Sequence, residues 1–166
     1  VPFVRPKELS RDKTPGIEPV LHAIKNIPEK YDVVVLLQPT SPLRIAADID
    51  ACIKRCVAGG YRSCVSVTET GKSSFWMFLR GTKGRIKPLL KTGKIPVRRQ
   101  DSPKVYVLNG AVYAADRKWL LKHRTFLMGN TAAWEMPRER SLDIDTESDL
   151  LEMKAFLSLG RARGGK

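Results

Sequence analysis

The chain has no run of apolar residues approaching the ~20 that a membrane-spanning helix requires. It also shows no basic segment followed by an apolar stretch of the kind that directs export. Histidine is nearly missing, with only His22 and His123 in 166 residues. Cysteine is scarce as well: Cys52, Cys56 and Cys64 are odd in number, and no two stand in a CxxC pair. That count does not suit a disulfide framework, no second pair completes a zinc site, and a reduced, cytoplasmic protein is expected. Cys52 and Cys56 share a helical face at i and i+4 and are read as small buried packing residues. The aromatics, 7% of the chain, form no stacking series. Zinc-finger, helix-turn-helix and RRM patterns do not occur, which argues against a nucleic-acid module. There is no internal repeat and no low-complexity tract.

What is abundant is positive charge. Thirty Lys and Arg against seventeen Asp and Glu give a formal net charge of +13. The partners it suits are anionic: phosphorylated small molecules, nucleic acid or an acidic surface. With 42% hydrophobic residues in 166, the chain can build the core of one globular domain.

VPFVRPKELSRDKTPG at the start is rich in proline and charge and is expected to be an extended loop. Ile17, Val20, Leu21 and Ile24 recur at helical spacing, predicting a helix over 17–26 that Pro28 closes. DVVVLLQ at 32–38 is apolar on both faces, the pattern of a strand in the middle of a sheet. Ile45 to Val57 reads as a second helix, stopped by Gly59 and Gly60, and SCVSV at 63–67 as a second buried strand. Strand, helix, strand in so short a span predicts a parallel α/β sheet flanked by helices. WMFLR at 76–80 and RIKPLL at 85–90, joined by GTKG, predict an antiparallel excursion. With the basic stretch that follows, it forms an inserted arm at about 72–104. KVYVL and AVYAA flank Asn109-Gly110, a pair that marks either a hairpin turn or a strand bend beside a ligand. A short helix at 117–123, a strand at 140–145 and a helix over 147–159 complete the chain. Thr146 and Asp149 cap the last helix, Gly160 ends it, and RARGGK is a mobile tail.

Two segments carry candidate chemistry. Gln38 to Arg44, QPTSPLR, leaves the first strand at its carboxyl end, where open α/β sheets bind ligands, and offers Gln38, Thr40, Ser41 and Arg44 within seven residues. The plainer reading is a proline-stiffened loop that caps the next helix. In RSLDIDTESD, an extended Leu142–Asp145 would project Asp143 and Asp145 from one face with Cα atoms roughly 6.5 Å apart. Mg²⁺ commonly takes one or two carboxylates together with substrate phosphates, so the pair suits a metal-phosphate site. Alternatively, Asp145 merely precedes a helix N-terminus and Asp143 is solvated. Among Lys91, Lys94, Arg98 and Arg99, the two arginines have the chemistry to grip a carboxylate or phosphate, although charge runs are commonly solvated faces. Phe126 and Trp134 are read as core.

Taken together, LLQPTSPLR, RRQ before a YxxNGAVY-like stretch, and MPRERSLDIDTESDL resemble the CMP-N-acylneuraminate synthetase family of cytidylyltransferases, with matching order over nearly the whole chain. The resemblance implies a Rossmann-like, GT-A-like nucleotidyltransferase fold in a single domain over 1–166. It also implies Mg²⁺-dependent transfer of CMP from CTP to a nine-carbon keto sugar acid with release of pyrophosphate, and a homodimer held by the antiparallel arm. By position, Asp143 and Asp145 would hold Mg²⁺ against the triphosphate, and Gln38 would face the sugar. Asn109, Tyr113 and Phe126 would form the sugar pocket, and Arg99 would meet an anionic group of sugar or phosphate. The sequence offers no His or Cys nucleophile placed for a covalent intermediate, so direct displacement is expected.

Departures from the family pattern are also visible. The CTP-cradling loop of the type LARxGSKGLPxKN does not occur, so an N-terminally truncated domain with an exposed apolar edge is expected, inactive or very weak by itself. Val107 stands where sialic-acid enzymes often have arginine, and Ser73 and Ser74 replace a His-Pro pair. Sialic, legionaminic and pseudaminic acids therefore all stay open as acceptors. Two other readings remain beside the enzyme: a catalytically silent dimerising remnant, and a basic nucleic-acid-binding module.

Overall fold

A computed structural model describes residues 2–90, 96 and 98–163; for Arg99 and from residue 159 onward it describes the backbone alone. Lys91 and Lys94 lie outside the described residues. The helices α1 (Ile17–Asn26) and α2 (Ala46–Val57) fall where apolar spacing predicts them. β1 (Val33–Leu36) and β2 (Ser63–Glu69) follow the two apolar runs. β3 (Phe78–Arg80) and β4 (Ile86–Pro88) pair antiparallel as a separate two-stranded sheet, the excursion read from WMFLR and RIKPLL. β5 (Tyr106–Asp116) leads directly into α3 (Arg117–His123), whose first turn is capped by the Asp116 carboxylate accepting from the Trp119 amide at 2.7 Å. β6 (Ala132–Glu135) and α4 (Glu147–Arg163) complete the order.

The main sheet runs β1-β5-β2-β6. β5 lies antiparallel between β1 and β2, and β6 is parallel to β2. The fold is α/β as expected, but the sheet is mixed rather than parallel. Each strand's alternation divides the core. Val65, Val67 and Ala115 pack with Leu21 and Ile24 of α1, Leu120 of α3 and Phe126 on one face. Cys64, Val112 and Ala114 pack with Cys52 of α2, Ala132 and Met136 on the other. Burying a side chain such as Leu120 contributes about 1.5–3 kcal/mol.

Several expectations are corrected. β1 is an edge strand and half-buried, not central, because β5 takes one of its edges and no described strand takes the other. Between that strand and α1 lies an apolar groove of about 410 Å³ lined by Val20, Ile24 and Val33 to Leu36, in keeping with the expected apolar edge. The leading loop contains a 3-10 turn at Lys7–Ser10. Gly160 does not end α4, which continues to Arg163. β6 has no counterpart in the sequence reading. No strand forms at 140–145: a 3-10 turn occupies Arg138–Arg140, and the Arg140 and Ser141 amides bond back to Pro137 and Arg138 rather than to a neighbouring strand.

The three cysteines are free thiols; Cys52 and Cys64 are fully buried and Cys56 half-buried. Burial, then the neighbouring Cys64, pushes the Cys56 thiol up to about 11, and the Cys52 thiol is raised chiefly by its hydrogen bond with Cys64; the same bond lowers the Cys64 thiol, which full burial shields from reagents. A thiol reagent at pH 8 should therefore label none of the three in the native protein and all three after denaturation. Rapid native labelling would show that the packing reading is wrong.

Candidate active site

The site grows from one irregularity in β5. Val65 pairs with Tyr113 and Val67 with Leu108, so the single Ser66 of β2 stands opposite Asn109, Gly110, Ala111 and Val112. The Asn109-Gly110 pair is thus a bend within one strand, the second of its two sequence readings. Side chains satisfy the ladder that the bulge opens. Ser66 Oγ donates to Asn109 Oδ1 at 2.6 Å and accepts from the Val112 amide at 2.8 Å, and Asn109 Oδ1 also accepts from the Ala111 amide at 3.2 Å. The Asn109 amide nitrogen donates to Ser141 Oγ at 2.9 Å, tying the bulge to the segment that carries Asp143. Asn109 is 4% exposed, so its side-chain amide is spent inside the protein.

Gly110 is needed at the bend for two reasons. Its φ of +72° lies in the left-handed region. A Cβ there would come within 2.5 Å of Gln38 Oε1 and 3.3 Å of both Asp143 Oδ2 and Ser41 Oγ. The same measurement shows that Gln38 and Ser41, from the loop after β1, and Asp143, from the segment before α4, converge over this glycine. Gly110→Ala should cost about 1–2 kcal/mol of stability from the backbone alone, and should displace the Gln38 side-chain amide; thermal unfolding and the Gln38 side-chain amide resonances check both.

The loop after β1 is held from inside. Arg44 Nη1 donates to the Gln38 carbonyl at 2.6 Å, the Ser41 carbonyl at 2.9 Å and the Ala111 carbonyl at 3.3 Å. Ser41, fully buried, donates to the Asn109 carbonyl at 3.2 Å, and Thr40 accepts the Ile144 amide at its carbonyl at 2.8 Å. Among the residues read from the sequence, Ser41 and Arg44 therefore build the loop and fasten it to β5, while the Gln38 side chain lies over Gly110.

Asp143 and Asp145 differ in surroundings. Asp143 is partly buried, and its Oδ1 is buried without a hydrogen-bond partner. Asp145 is exposed just before α4, where its amide and that of Thr146 donate to the Asp149 carboxylate at 3.1 and 2.7 Å. The strand alternation expected to align the two carboxylates is not formed. Tyr113 is half-buried; burial and then the Asp143 charge hold its phenol above the usual range. Its ring centroid lies 5.7 Å from that of Phe126, which is buried in the core face shared with α1 and α3. The backbone of Arg99 begins a 3-10 turn, Arg99–Asp101.

The sequence reading missed Asp48. This residue of the first turn of α2 is 1% exposed and receives a fork from Arg140: Nη2 to Oδ1 at 2.9 Å and Nε to Oδ2 at 3.2 Å. The Trp134 indole donates to Oδ1 at 3.2 Å and the Ile45 amide to Oδ2 at 3.1 Å. Burial by itself would raise this carboxyl. The hydrogen bonds from Arg140, Ile45 and Trp134 and the Arg140 charge outweigh it and hold Asp48 below the usual carboxylate range. The ion pair ties α2 and β6 to the turn from which Ser141 and Asp143 emerge.

Among the described residues no three His, Cys, Asp or Glu side chains form a ready metal cage. An unpaired buried carboxylate oxygen nevertheless suits a hard cation that takes its other ligands from water and phosphate.

No protein-family model matches the chain. It is 28% identical over 154 residues to the N-acylneuraminate cytidylyltransferase of Streptococcus agalactiae serotype III, covering 93% of this chain and 37% of that protein. It is 32% identical over 155 residues to the N-acylneuraminate cytidylyltransferase of Escherichia coli O18:K1:H7, covering 89% and 35%. The CMP-N,N'-diacetyllegionaminic acid synthase of Legionella pneumophila is 29% identical over 166 residues, covering 97% and 70%. The chain thus spans little more than a third of the length of the first two. In fold it resembles the solved structure of CMP:2-keto-3-deoxy-manno-octonic acid synthetase complexed with CTP, with a TM-score of 0.61 at 12% identity over 90% of this chain and 70% of that one. The chain shares the α/β fold of that synthetase and is similar in sequence, over nearly its whole length, to N-acylneuraminate cytidylyltransferases.

Proposed function

We propose that the chain acts in cytidylyl transfer, from CTP to a nine-carbon keto sugar acid with release of pyrophosphate, in the cytoplasm. The observation that carries this reading is the convergence of Gln38, Ser41 and Asp143 over Gly110, with a buried Asp143 oxygen left without a donor. The sequence relatives bear names of that activity. The anomeric hydroxyl attacks the α-phosphorus, the bond to the pyrophosphate oxygen breaks, and no enzyme-bound nucleotide forms. Gln38, poised over a backbone without a Cβ, orients a sugar hydroxyl or carboxylate. Arg99 meets an anionic group. Tyr113 walls the sugar side, and the buried Phe126 ring backs it from the core. Asp143, with Asp145 nearby in sequence, would hold Mg²⁺, which offsets phosphate charge when bound.

The hairpin β3–β4 supports a homodimer. Phe78, Leu79, Ile86, Leu89 and Leu90 are all exposed there, more apolar surface than a free arm holds without a partner. A second copy is the proposed partner.

The reading is tested by titrating sialic, legionaminic and pseudaminic acids into isotopically labelled protein. One acid should shift the amides of Asn109, Gly110 and Tyr113 and bind more tightly than the other two. Failure of all three acids to perturb those amides would refute it. Because the sequence contains no LARxGSKG-type loop, turnover of CTP by the 166-residue chain alone is expected to be very weak, and robust synthesis would contradict that part.

A further inference from the structure

A second concave surface lies at the end of the sheet away from Gly110. β1 and β2 both run antiparallel to β5, so Asp32 before β1, Arg62 before β2 and Asp116 at the close of β5 come together there. The Arg117 amide bonds to the Asp32 carbonyl at 2.8 Å and the Asp116 amide to the Arg62 carbonyl at 2.9 Å, which fixes the floor. With α3 they enclose a cleft of about 640 Å³. That volume is within the range of about 300–1,000 Å³ typical of small-molecule sites.

Its lining is cationic. Lys30, Arg62, Arg117, Lys118 and Lys122 face two carboxylates, Asp32 and Asp116. Asp116 is already engaged, capping the Trp119 amide and pairing with Arg62 at 3.5 Å. Among the described residues, Lys30, Arg117, Lys118 and Lys122 have no carboxylate within ion-pair distance. Positive charge concentrated in a concavity with low-dielectric walls raises the local concentration of anions. The walls also carry aromatic surface. Tyr31 is 60% exposed, and Trp119 packs one side on the core while its ring stands 5.0 Å from that of His123. Unpaired cations beside an exposed aromatic ring suit a ligand with both phosphates and a flat ring.

We propose that this cleft binds a nucleoside polyphosphate, at a site separate from the one over Gly110. The test uses the 166-residue chain, labelled for NMR, with ATP and inorganic triphosphate as probes. ATP should shift the amides of Arg62 and of Arg117 to Lys122 and the Trp119 indole, while Gly110 stays in place. Lys118→Glu with Lys122→Glu, both exposed and remote from the core, should weaken ATP by about tenfold or more. Tyr31→Ala should weaken ATP about fivefold or more while leaving triphosphate unchanged, since it removes only stacking. The proposal is overturned if the cleft amides do not move, if the shifts survive the double Lys variant, or if ATP binds no more tightly than triphosphate. It is equally overturned if a single-stranded oligonucleotide binds while ATP leaves the cleft unperturbed.

Discussion

Replacing Asp48 by asparagine is expected to lower the unfolding free energy by about 3–5 kcal/mol, the cost of breaking a buried ion pair by removing one partner. The carboxylate is 1% exposed and accepts from Arg140 twice, from the Trp134 indole and from the Ile45 amide. Asparagine keeps the volume but offers one acceptor oxygen, and it turns an NH₂ toward a guanidinium that can only donate. The loss also depends on pH in a defined direction. The folded Asp48 carboxyl is held below its ordinary value, so its contribution is present above the unfolded pKa of about 4. It fades as pH falls through the folded value. Denaturant unfolding at pH 7 and again near pH 3 should therefore show the two proteins far apart at the first pH and closer at the second. A constant difference would mean that the ion pair is not its source. Because Ser141 follows directly on Arg140 and Asp143 lies two residues further on, the variant should also broaden their resonances and that of Gly110.

What could be read from the sequence depended on whether a residue's role is local. The spacing of Ile17, Leu21 and Ile24 fixes a buried helical stripe whatever surrounds it, and α1 appears with the predicted bounds. The Thr146–Asp149 cap is local too, and Asp149 accepts from the Thr146 amide at 2.7 Å. The strand expected at 140–145 failed because Leu142 and Ile144 alternate with aspartates and imitate a period of two. The amides at 140 and 141 instead close turns, and the Arg140 side chain is drawn to Asp48, 92 residues away in sequence. Nothing local marks Asp48, since an acid in the first turn of a helix is ordinary. Its partner sits in the basic string RERS, where every arginine looks alike. β1 was misplaced for a related reason: four apolar residues state that a strand is apolar on both faces, not how many of its edges are paired. In QPTSPLR the chemistry was visible, but not its division of labour. Only the fold shows Arg44 turned onto the carbonyls of its own loop while Gln38 reaches Gly110.

Asp143→Asn should behave in the opposite way to Asp48→Asn, although one aspartate pairs with Arg140 and the other lies three residues beyond it. Asp143 Oδ1 is buried without a donor, so the wild-type carboxylate already bears a desolvation cost of about 1–3 kcal/mol that no hydrogen bond repays. Neutralising it should leave stability unchanged or higher, the pattern of a residue kept for binding rather than for folding. The charge that asparagine removes is the one proposed to attract Mg²⁺. For wild type, Mg²⁺ at about a hundred times its dissociation constant should stabilise the fold by about 2.7 kcal/mol, and for the variant by little or nothing. The Tyr113 phenol supplies a second readout that needs no turnover. Burial and then the Asp143 charge hold it up, so the variant should lower its titration midpoint while leaving the burial contribution in place. Thermal melts with and without Mg²⁺, and the ultraviolet titration of Tyr113, measure all three effects. A variant as unstable as Asp48→Asn, or one that keeps the full Mg²⁺ shift, would show that Asp143 is a structural residue and that the cation sits elsewhere.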